Sequence, residues 1–450
     1  MCALLFAPAT TLFAQGLLTP PGPPAATMKT LDQVEARFII NTANAPGNAA
    51  NQFIISAAGS YYLTGNLAGV SGKNGILINA PNVTIDLNGF MLNGISGSLA
   101  AITDGGANHG NATVRNGSIA GWGGAGIDLS SSFNSIVENL IVTDNGGVGM
   151  KMSDACALRN CVARNNASDN IDTGFNANLN HCISVGSATG YGINVGPDSA
   201  ITDCAANFNK SFGILAGGNS TVSHCSAGQN FSAGISVGSG STVTGCSASG
   251  NGQSSGTTFA IFAQNGCTVS DCNASYNTVQ YGLVANPGST VTHCTATGNT
   301  SAQTISAGIL AAGCTVIACT ASSNANTNAT ASHTTGMGIY VNGSNTTIKD
   351  STCDNNKGDG INVITDCVVT ENHCNSNGAD GIFSSGGGVC RIDGNHANFN
   401  SGIGIHSSFD WVMRNTSGSN GGGNYVPTSG PDIAPIQTAS TATNPYANLQ

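Results

Sequence analysis

A repeat of about 22 residues runs through most of this 450-residue chain and constrains its fold more than any other feature. Two copies show the pattern, namely GILAGGNSTVSHCSAGQN at 213–230 and GISVGSGSTVTGCSASGN at 234–251. Each copy opens with Gly-Ile, continues to a TVT-like segment, passes a cysteine and closes on asparagine. A fixed period of this length is typical of one supersecondary unit stacked on itself.

Apolar and asparagine columns keep the register of the repeat from coil to coil. We take the central apolar residue of the TVT-like segment as the reference position, and it is occupied by Val137, Leu158, Leu179, Ile201, Val222, Val243, Val269, Val291, Val316, Ile348, Val369, Ile392 and Val412. Asparagine follows each reference residue at a fixed distance, except in one coil, where Ser187 replaces it. The asparagines are Asn145, Asn166, Asn209, Asn230, Asn251, Asn277, Asn299, Asn324, Asn356, Asn377, Asn400 and Asn420.

The opening segment of each copy alternates apolar and polar residues, as where Ile193 and Val195 flank Asn194. Alternation with β-branched residues predicts short strands with one buried face. Gly, Asn and Ser stand between these strands and favour turns. The sequence therefore predicts an all-β chain, a single-stranded parallel β-helix (a solenoid with about 22 residues per coil), whose coils pair at roughly 4.8 Å.

The asparagine and cysteine columns have structural interpretations. We expect the asparagines to occupy left-handed turns and to hydrogen-bond to one another along the axis. Cysteines in register have parallel Cβ vectors, whereas a disulfide needs Cβ atoms about 3.8 Å apart, so the columns predict reduced, buried thiols. The inward columns bring no histidines and carboxylates together, and we expect no metal and no cofactor. One cysteine column contains Cys161, Cys182, Cys204, Cys225, Cys246, Cys272, Cys294 and Cys319, and a second contains Cys156, Cys267, Cys314, Cys367 and Cys390.

The ends of the chain lose the repeat. Residues 1–14 are apolar and predict a signal peptide, and 15–50 form a Pro-rich linker and an N-terminal cap with one short helix over 27–38. Residues 51–425 form the β-helix, and 426–450 form a C-terminal cap or tail. We therefore expect a secreted or cell-surface protein.

Composition excludes several classes of partner. Only 8% of the residues are charged and the net charge is −10, which excludes nucleic acid as a partner. The sequence contains no apolar run long enough for a transmembrane helix. Polysaccharides and surface proteins are the partners that this composition leaves open.

At 59–94, the segment GSYYLTGNL…GILINAPNVTIDLNGFMLNG and the coils that follow resemble bacterial right-handed parallel β-helix repeat proteins of the pectin-lyase-like superfamily. The resemblance covers roughly residues 50–425 and implies the right-handed form of the solenoid. That superfamily includes polysaccharide lyases, hydrolases, epimerases, esterases, phage tailspikes and proteins without known chemistry. Asn170-Ile171-Asp172-Thr173-Gly174 is a loose counterpart of the NTD motif of polygalacturonases, but their DD, GHG and RIK motifs are absent, as are a DPH-type acidic motif and the Asp group of a calcium site.

An outward stripe is predicted from the residue between the two buried positions of each opening strand. Its apolar part lies beside long gaps between coils, at 251–260, 299–308 and 324–338, and a further gap lies at 166–174. Long loops on one edge of a repeat array often mark a binding face. The predicted members are Asp128, Lys151, Asn176, Asn194, Leu215, Ser236, Phe262, Val284, Leu310, Tyr340, Asn362, Phe383 and His406.

Three interpretations of the apolar stretch stay open. Phe262, Leu310 and Tyr340, with Asn176 and Asn194 further along, could bind a saccharide. The long loops could instead cover the stretch as a satellite core, or the stretch could form a protein interface, as in a homotrimer.

The best catalytic candidates are Asp128 and Lys151 on adjacent coils, with Asp172 near them. A carboxylate and an amine at a groove can act as general base and acid, but an exposed ion pair worth ~0–1 kcal/mol is the favoured interpretation. In a second polar column, alternating His and Asp is expected from charge alone, and a metal site or a His–Asp acid–base pair is the alternative. This column contains His181, Asp203, His224, Asp271, His293, Asp350 and Glu371.

Two classes of function follow from these observations. The favoured one is an exported, non-catalytic β-helix protein that binds polysaccharide or a protein partner through the face at 251–340. The alternative is a polysaccharide lyase, glycoside hydrolase or epimerase that acts on acidic polysaccharide near Asp128, Lys151 and Asp172. Whether the chain is an enzyme is left open at this point.

Overall fold

The computed structural model describes residues 35–450 except 107–108, 254–255, 257, 328–331, 387 and 428–432. The predicted signal peptide and most of the linker lie outside these residues. In the described part, the chain is all-β, and every pairing between its strands is parallel. That part holds no helix long and apolar enough to span a membrane.

The helix predicted over 27–38 is wrong for its described end. Residues 27–34 lie outside the described residues, and residues 35–37 are irregular. Phe38 and Ile39 form a strand that pairs with Tyr61 and Tyr62. Extended chain is favoured there because the open end of a stack offers unpaired backbone groups, which an added strand satisfies.

Three parallel sheets run along the stack, and most coils contribute one short strand to each; the coils at Thr352 and His373 contribute only isolated bridges to the third sheet. The first sheet contains the opening strands Asn51–Ile55, Asn74–Ile78, Ile102–Asp104, Ile127–Leu129, Met150–Met152, Ile171–Thr173, Ile193–Val195, Ile214–Ala216, Ile235–Val237, Phe259–Ala263, Tyr281–Ala285, Ala307–Ala311, Met337–Val341, Ile361–Val363, Ile382–Ser384, Ile403–Ser407 and Gly423–Pro427.

The second sheet carries the reference residues. It contains Phe38–Ile39, Gly59–Tyr62, Val83–Asp86, the first parts of Thr113–Ala120 and Ile136–Thr143, then Ala157–Arg159, Asn178–Asn180, Ala200–Thr202, Thr221–Ser223, Thr242–Thr244, Thr268–Ser270, Thr290–Thr292, Thr315–Ile317, Thr347–Lys349, Val368–Thr370, Arg391–Asp393 and Trp411–Met413.

The third sheet closes each coil. It contains Leu67–Ala68, Met91–Asn93, the second parts of Thr113–Ala120 and Ile136–Thr143, then Val162–Arg164, Ile183–Val185, Ala205–Asn207, Ser226–Gly228, Ser247–Ser249, Asn273–Ser275, Thr295–Thr297, Thr320–Ser322, His396–Asn398, Thr416–Gly418, Ile436–Gln437 and Asn448–Leu449. A separate short pair, Thr300–Ser301 with Ala325–Asn326, lies in the long loops.

Single residues in the left-handed region form the corners between the sheets. In one coil these are Asn134 (φ 55°), Asn139 (φ 55°) and Asp144 (φ 56°). Asn, Asp and Gly tolerate this conformation, which explains their abundance. The core is confirmed as predicted, since reference residues such as Val137 and Val291 are fully buried and in register with their neighbours.

The asparagine ladder is confirmed, but its members are not the left-handed residues. Asn209 Nδ2 donates to Asn230 Oδ1 at 3.0 Å, and Asn230 Nδ2 donates to Asn251 Oδ1 at 3.0 Å. Positive φ belongs to the preceding residue, as at Phe208 (57°) and Gln229 (54°). The left-handed corner residue turns the chain so that the following amide points into the core.

One coil lacks the ladder asparagine, and an asparagine from another position of the repeat takes its place. Ser187 stands where the ladder asparagine should be, and Asn170 stands where other coils have their opening glycine. Asn166 Nδ2 donates to Asn170 Oδ1 at 2.8 Å, and Asn170 Nδ2 donates to Asn209 Oδ1 at 3.2 Å. The ladder is therefore continuous, because Asn170 bridges across the coil that has serine.

The cysteines between Cys156 and Cys390 are free and buried. Their thiols donate weakly to backbone oxygens, as from Cys204 Sγ to Thr202 O at 3.2 Å. Burial raises the pKa of the Cys156 thiol to about 12. Past Cys319 the main column continues with Ser351, whose backbone N–H donates to Asn372 Oδ1, and then as a second amide ladder of Asn372, Asn395, Asn415 and Asn448.

We expect these thiols to resist alkylation in the native protein and to react fully after unfolding. The thiolate is the reactive species, and burial disfavours it. Alkylation before and after denaturation, mapped by mass spectrometry, measures this. Peptides that stay unmodified after unfolding without reductant would show disulfides and contradict the assignment.

Candidate functional site along the first sheet

One predicted member of the outward stripe of the first sheet does not lie on that stripe. The register aligns Asp128 with Lys151, Lys151 with Asp172, and Asp172 with Asn194. Asn176 instead lies in an exposed corner (φ 55°). The apparent gap at 166–174 is no insertion, because Asn170 rather than Gly174 opens that coil.

The first polar part of the stripe brings Asp128, Lys151 and Asp172 onto successive coils, as predicted. Asn194 Nδ2 donates to Asp172 Oδ1 at 2.9 Å. Burial raises the pKa of the Asp172 carboxyl, against the hydrogen bond from Asn194 and the charge of Lys151. Asp128 Oδ1 accepts a hydrogen bond from the Ser130 hydroxyl at 2.7 Å. The group can bind a polar ligand, and its catalytic role stays a prediction.

The apolar part of the stripe is more covered than a binding face requires. Val284 is 5% exposed and Leu310 is 9% exposed, while Phe262 and Tyr340 are half-buried. Val284 and Leu310 are therefore too buried to form much of a binding face, whereas Phe262 and Tyr340 keep accessible surface.

A second column beside the stripe was missed from the sequence. It is formed by the residue just before the opening glycine, and we call it the pre-glycine column. Several of its middle members are aromatic, and two of its later members are aspartates. The signal that could have revealed the column is the residue type at the position before each opening glycine. The column runs Ala125, Val148, Asp169, Tyr191, Phe212, Ala233, Phe259, Tyr281, Ala307, Met337, Asp359, Asp380 and Ile403.

Aromatic rings of this column contact one another along the stack. Ring centroids are 5.6 Å apart for Tyr191 and Phe212, and 5.8 Å apart for Phe212 and Phe259. The last contact spans the coil of Ala233, which is small and buried and lets the two rings meet over it. Phe259 also stacks on the stripe residue Phe262, with centroids 4.7 Å apart.

We call Tyr191, Phe212, Phe259, Phe262 and Tyr281 the aromatic ladder. Its members are all half-buried, so each ring packs on the stack and keeps part of its surface in solvent. Aromatic rings in such positions present flat apolar surface. The ladder thus forms a continuous apolar strip along the edge of the first sheet.

An acid–imidazole cluster follows at the C-terminal end of the same columns. It contains His333, Asp359, Asp380 and His406, from a long loop, the pre-glycine column and the stripe. His333 Nδ1 lies 3.0 Å from Asp359 Oδ1, and His406 Nδ1 lies 2.9 Å from Asp380 Oδ2. The Asp359 and Asp380 side chains are 0% and 4% exposed.

The surroundings of this cluster shift the pKa values of two of its groups. The hydrogen bond with Asp359 raises the pKa of the His333 imidazole. Burial raises the pKa of the Asp359 carboxyl, although His333 opposes the shift. Phe383 fixes the His333 ring from one side, with centroids 4.0 Å apart in a stacked arrangement. The arrangement can hold a proton or a cation beside the first sheet.

The second polar column lies at corners, away from the first sheet. His181, Asp203 and His224 all have positive φ, between 51° and 53°. His181 Nε2 lies 3.8 Å from Asp203 Oδ2, and both side chains are substantially exposed. Such an exposed pair contributes little to stability, and the column is a set of solvated corners.

A cationic group on the second sheet holds one buried carboxylate. Arg391 Nη2 lies 2.6 Å from Asp393 Oδ2, and Arg414 Nε donates to Asp393 Oδ1 at 2.8 Å. Burial alone would raise the pKa of the Asp393 carboxyl, but Arg414 and Arg391 outweigh burial and hold this pKa below its usual range.

We expect Asp393→Asn to cost about 1 kcal/mol of stability at neutral pH, since both arginines are half-exposed. A lowered pKa in the folded state stabilises the protein above the unfolded pKa of about 3.9, and this stabilisation is lost as pH falls through the folded pKa. Urea unfolding at pH 7 and over a series of falling pH values to about pH 2 measures the difference. The exposed Glu371→Gln is the control, and a cost that persists in acid would contradict the assignment.

Comparison with known proteins agrees with the architecture. A family model described as a right handed beta helix region matches residues 170–324. The described part of the chain is a parallel β-helix, and the match at residues 170–324 gives it the right-handed form. No sequence among the curated proteins matches it.

Several solved structures are similar to this β-helix protein in fold alone. The periplasmic alginate epimerase AlgG shares 9% identity at a TM-score of 0.37, covering 78% of this chain and 80% of that one. The Azotobacter vinelandii mannuronan C-5 epimerase AlgE4 A-module shares 13% at 0.32, covering 84% and 91%. The Dettilon tailspike protein shares 13% at 0.34, covering 66% and 60%. Likeness at these levels says nothing of the site.

Proposed function

We propose that this protein is an exported β-helix protein that binds an extended polysaccharide along the edge of the first sheet. The observation that carries the proposal is the aromatic ladder, a row of half-buried rings in which Tyr191, Phe212, Phe259 and Phe262 contact one another in sequence at 4.7–5.8 Å. The apolar faces of sugar rings stack on aromatic faces, and a row of rings suits a linear chain of sugars.

The stripe beside the ladder supplies the polar half of such a site. Asn194 lies on the coil of Tyr191, and its amide side chain is half-buried and keeps accessible surface. Amide and hydroxyl groups donate to and accept from sugar hydroxyls. Binding sites generally combine apolar walls with a few polar groups that fix orientation, and the two columns offer this combination.

The binding residues differ in part from those expected from the sequence. Phe262 and Tyr340 stay in the proposed face, and so does Asn194. Leu310 is too covered to contribute much, and Asn176 lies at a corner away from the stripe. The apolar residues 2–14 support a secreted or cell-surface location, where polysaccharide would be met.

A panel of acidic and neutral polysaccharides tests the proposal. Retardation of the purified protein in affinity gels, without release of products, is the expected result. Absence of retardation by every polysaccharide would contradict it and favour a protein interface at the same face. Light scattering would then show whether the protein is a homotrimer.

Catalysis on polysaccharide is the second candidate function, favoured by buried carboxylates next to imidazoles at the end of the ladder. Asp359 and Asp380 with His333 and His406 offer acid and base groups, and Asp128, Lys151 and Asp172 offer a second set. Release of reducing ends or unsaturated sugars from the same panel would establish turnover. Asp380→Asn and Asp172→Asn would then show which set carries it.

A further inference from the structure

We propose that His333, Asp380 and His406 bind a divalent transition-metal ion of the zinc class, beside the buried carboxylate of Asp359. This function goes beyond polysaccharide binding and does not depend on it. The three residues come from a long loop, the pre-glycine column and the stripe, and they meet only because the stack brings successive coils into register.

The ligand atoms converge. One ligand atom from each of His333, Asp380 and His406 lies within 4.8 Å of the others. Asp380 Oδ2 lies 2.9 Å from His406 Nδ1 and 3.8 Å from His333 Nδ1. Small rotations of these side chains would place all three ligand atoms around one ion.

The types of ligand select the class of ion. Two imidazole nitrogens and one carboxylate oxygen form a set that suits zinc and its neighbours in the transition series. Calcium and magnesium prefer oxygen ligands alone. Three protein ligands also leave a coordination position for water or for a group of a bound molecule.

Surrounding groups hold the carboxylates in place. The Ile403 backbone N–H donates to Asp380 Oδ1 at 2.7 Å, which leaves Oδ2 directed at the imidazoles. The Asp380 backbone N–H and the Asn362 amide both donate to Asp359 at 2.9 Å. Partners of this kind orient metal ligands and tune their basicity.

The negative charge of the two buried carboxylates also favours a bound cation. In the described part of the chain, the ion-pair partners of Asp359 and Asp380 are His333 and His406 alone. Two buried carboxylates are costly unless they are compensated. A divalent ion offsets both charges while each imidazole stays neutral and free to coordinate.

The site is open to ions from solvent. The side chains of His333 and His406 are 43% and 21% exposed, so an ion can enter beside Phe383 without unfolding the stack. The cluster lies at the same sheet edge as the aromatic ladder, beyond its C-terminal end.

Titration of the full-length, tag-free protein with Zn²⁺ by calorimetry tests the proposal. We expect one equivalent of Zn²⁺ to bind, and His333→Gln/His406→Gln to weaken binding at least tenfold. His293→Gln, at an exposed corner, is the matched control and should bind as the wild type does. Co²⁺ should compete for the site, and its visible absorption should report mixed nitrogen and oxygen ligands.

Several results would overturn the proposal. These are binding well below one equivalent, equal binding by the double variant, or a stronger response to Ca²⁺ than to Zn²⁺. Because both histidines are partly exposed, the double variant should fold, and circular dichroism checks this. Polysaccharide retardation is measured separately on the same variant, so failure of metal binding and failure of the proposed function are distinguishable.

Discussion

Asn277→Ala should destabilise the protein by about 3–5 kcal/mol, because it removes one amide from the centre of the asparagine ladder. Asn277 is fully buried. Its Nδ2 donates to Ala248 O at 2.9 Å and to Asn299 Oδ1 at 3.0 Å, and its Oδ1 accepts from Asn251 Nδ2 at 3.0 Å. Truncation leaves buried donors and acceptors without partners, and each such group costs about 1–3 kcal/mol.

Urea unfolding followed by circular dichroism measures this loss. Asn178→Ala is the matched control, since Asn178 is exposed on the second sheet, and it should change stability by less than about 0.5 kcal/mol. Equal effects of the two substitutions would show that the ladder does not stabilise the stack. Coils interact mainly with their neighbours in a solenoid, so loss of cooperativity around Asn277 is also expected.

Phe259→Ala/Phe262→Ala should weaken polysaccharide binding about 100-fold, or ~3 kcal/mol, because it removes the stacked pair at the centre of the aromatic ladder. The two rings lie 4.7 Å apart, and Phe259 also contacts Phe212. Both are half-buried, so stability should fall less than for a fully buried phenylalanine.

Phe208→Ala is the matched control for this loss. Phe208 is 58% exposed at the corner that follows the third-sheet strand Ala205–Asn207 and is not a member of the aromatic ladder, so its truncation should leave binding unchanged. Affinity electrophoresis and thermal unfolding of both variants separate the two roles. Unchanged binding by the double variant would exclude the ladder as the binding surface, and a stability loss with unchanged binding would make these rings part of a satellite core.

The fold could be predicted from the sequence because its columns are strict. Reference residues such as Val222 and Val243 recur at one spacing, and a buried column in register admits few architectures besides a stack of coils. The conformation of the N-terminal end was harder to predict, because residues 35–38 lie outside the repeat. Phe38 and Ile39 form a strand because pairing with Tyr61 and Tyr62 outweighs the helical propensity of the segment.

The site could be predicted only where the repeat kept its spacing. Asn176 was misplaced because an opening glycine was assumed, whereas Asn170 takes that position and fills the gap left by Ser187. The acid–imidazole cluster could not be found by register alone, since His333 reaches Asp359 from a loop of irregular length. Tertiary contact between a loop and a column leaves no periodic signal in a sequence.

Photo-crosslinking tests the central claim most directly. A photoreactive oligosaccharide, prepared from the most strongly retarding polysaccharide, is bound to the wild-type protein, irradiated and mapped by mass spectrometry. Binding along the first sheet predicts labels on peptides carrying Tyr191, Phe212 and Phe259. Labels confined to the corners or to the second sheet would contradict it.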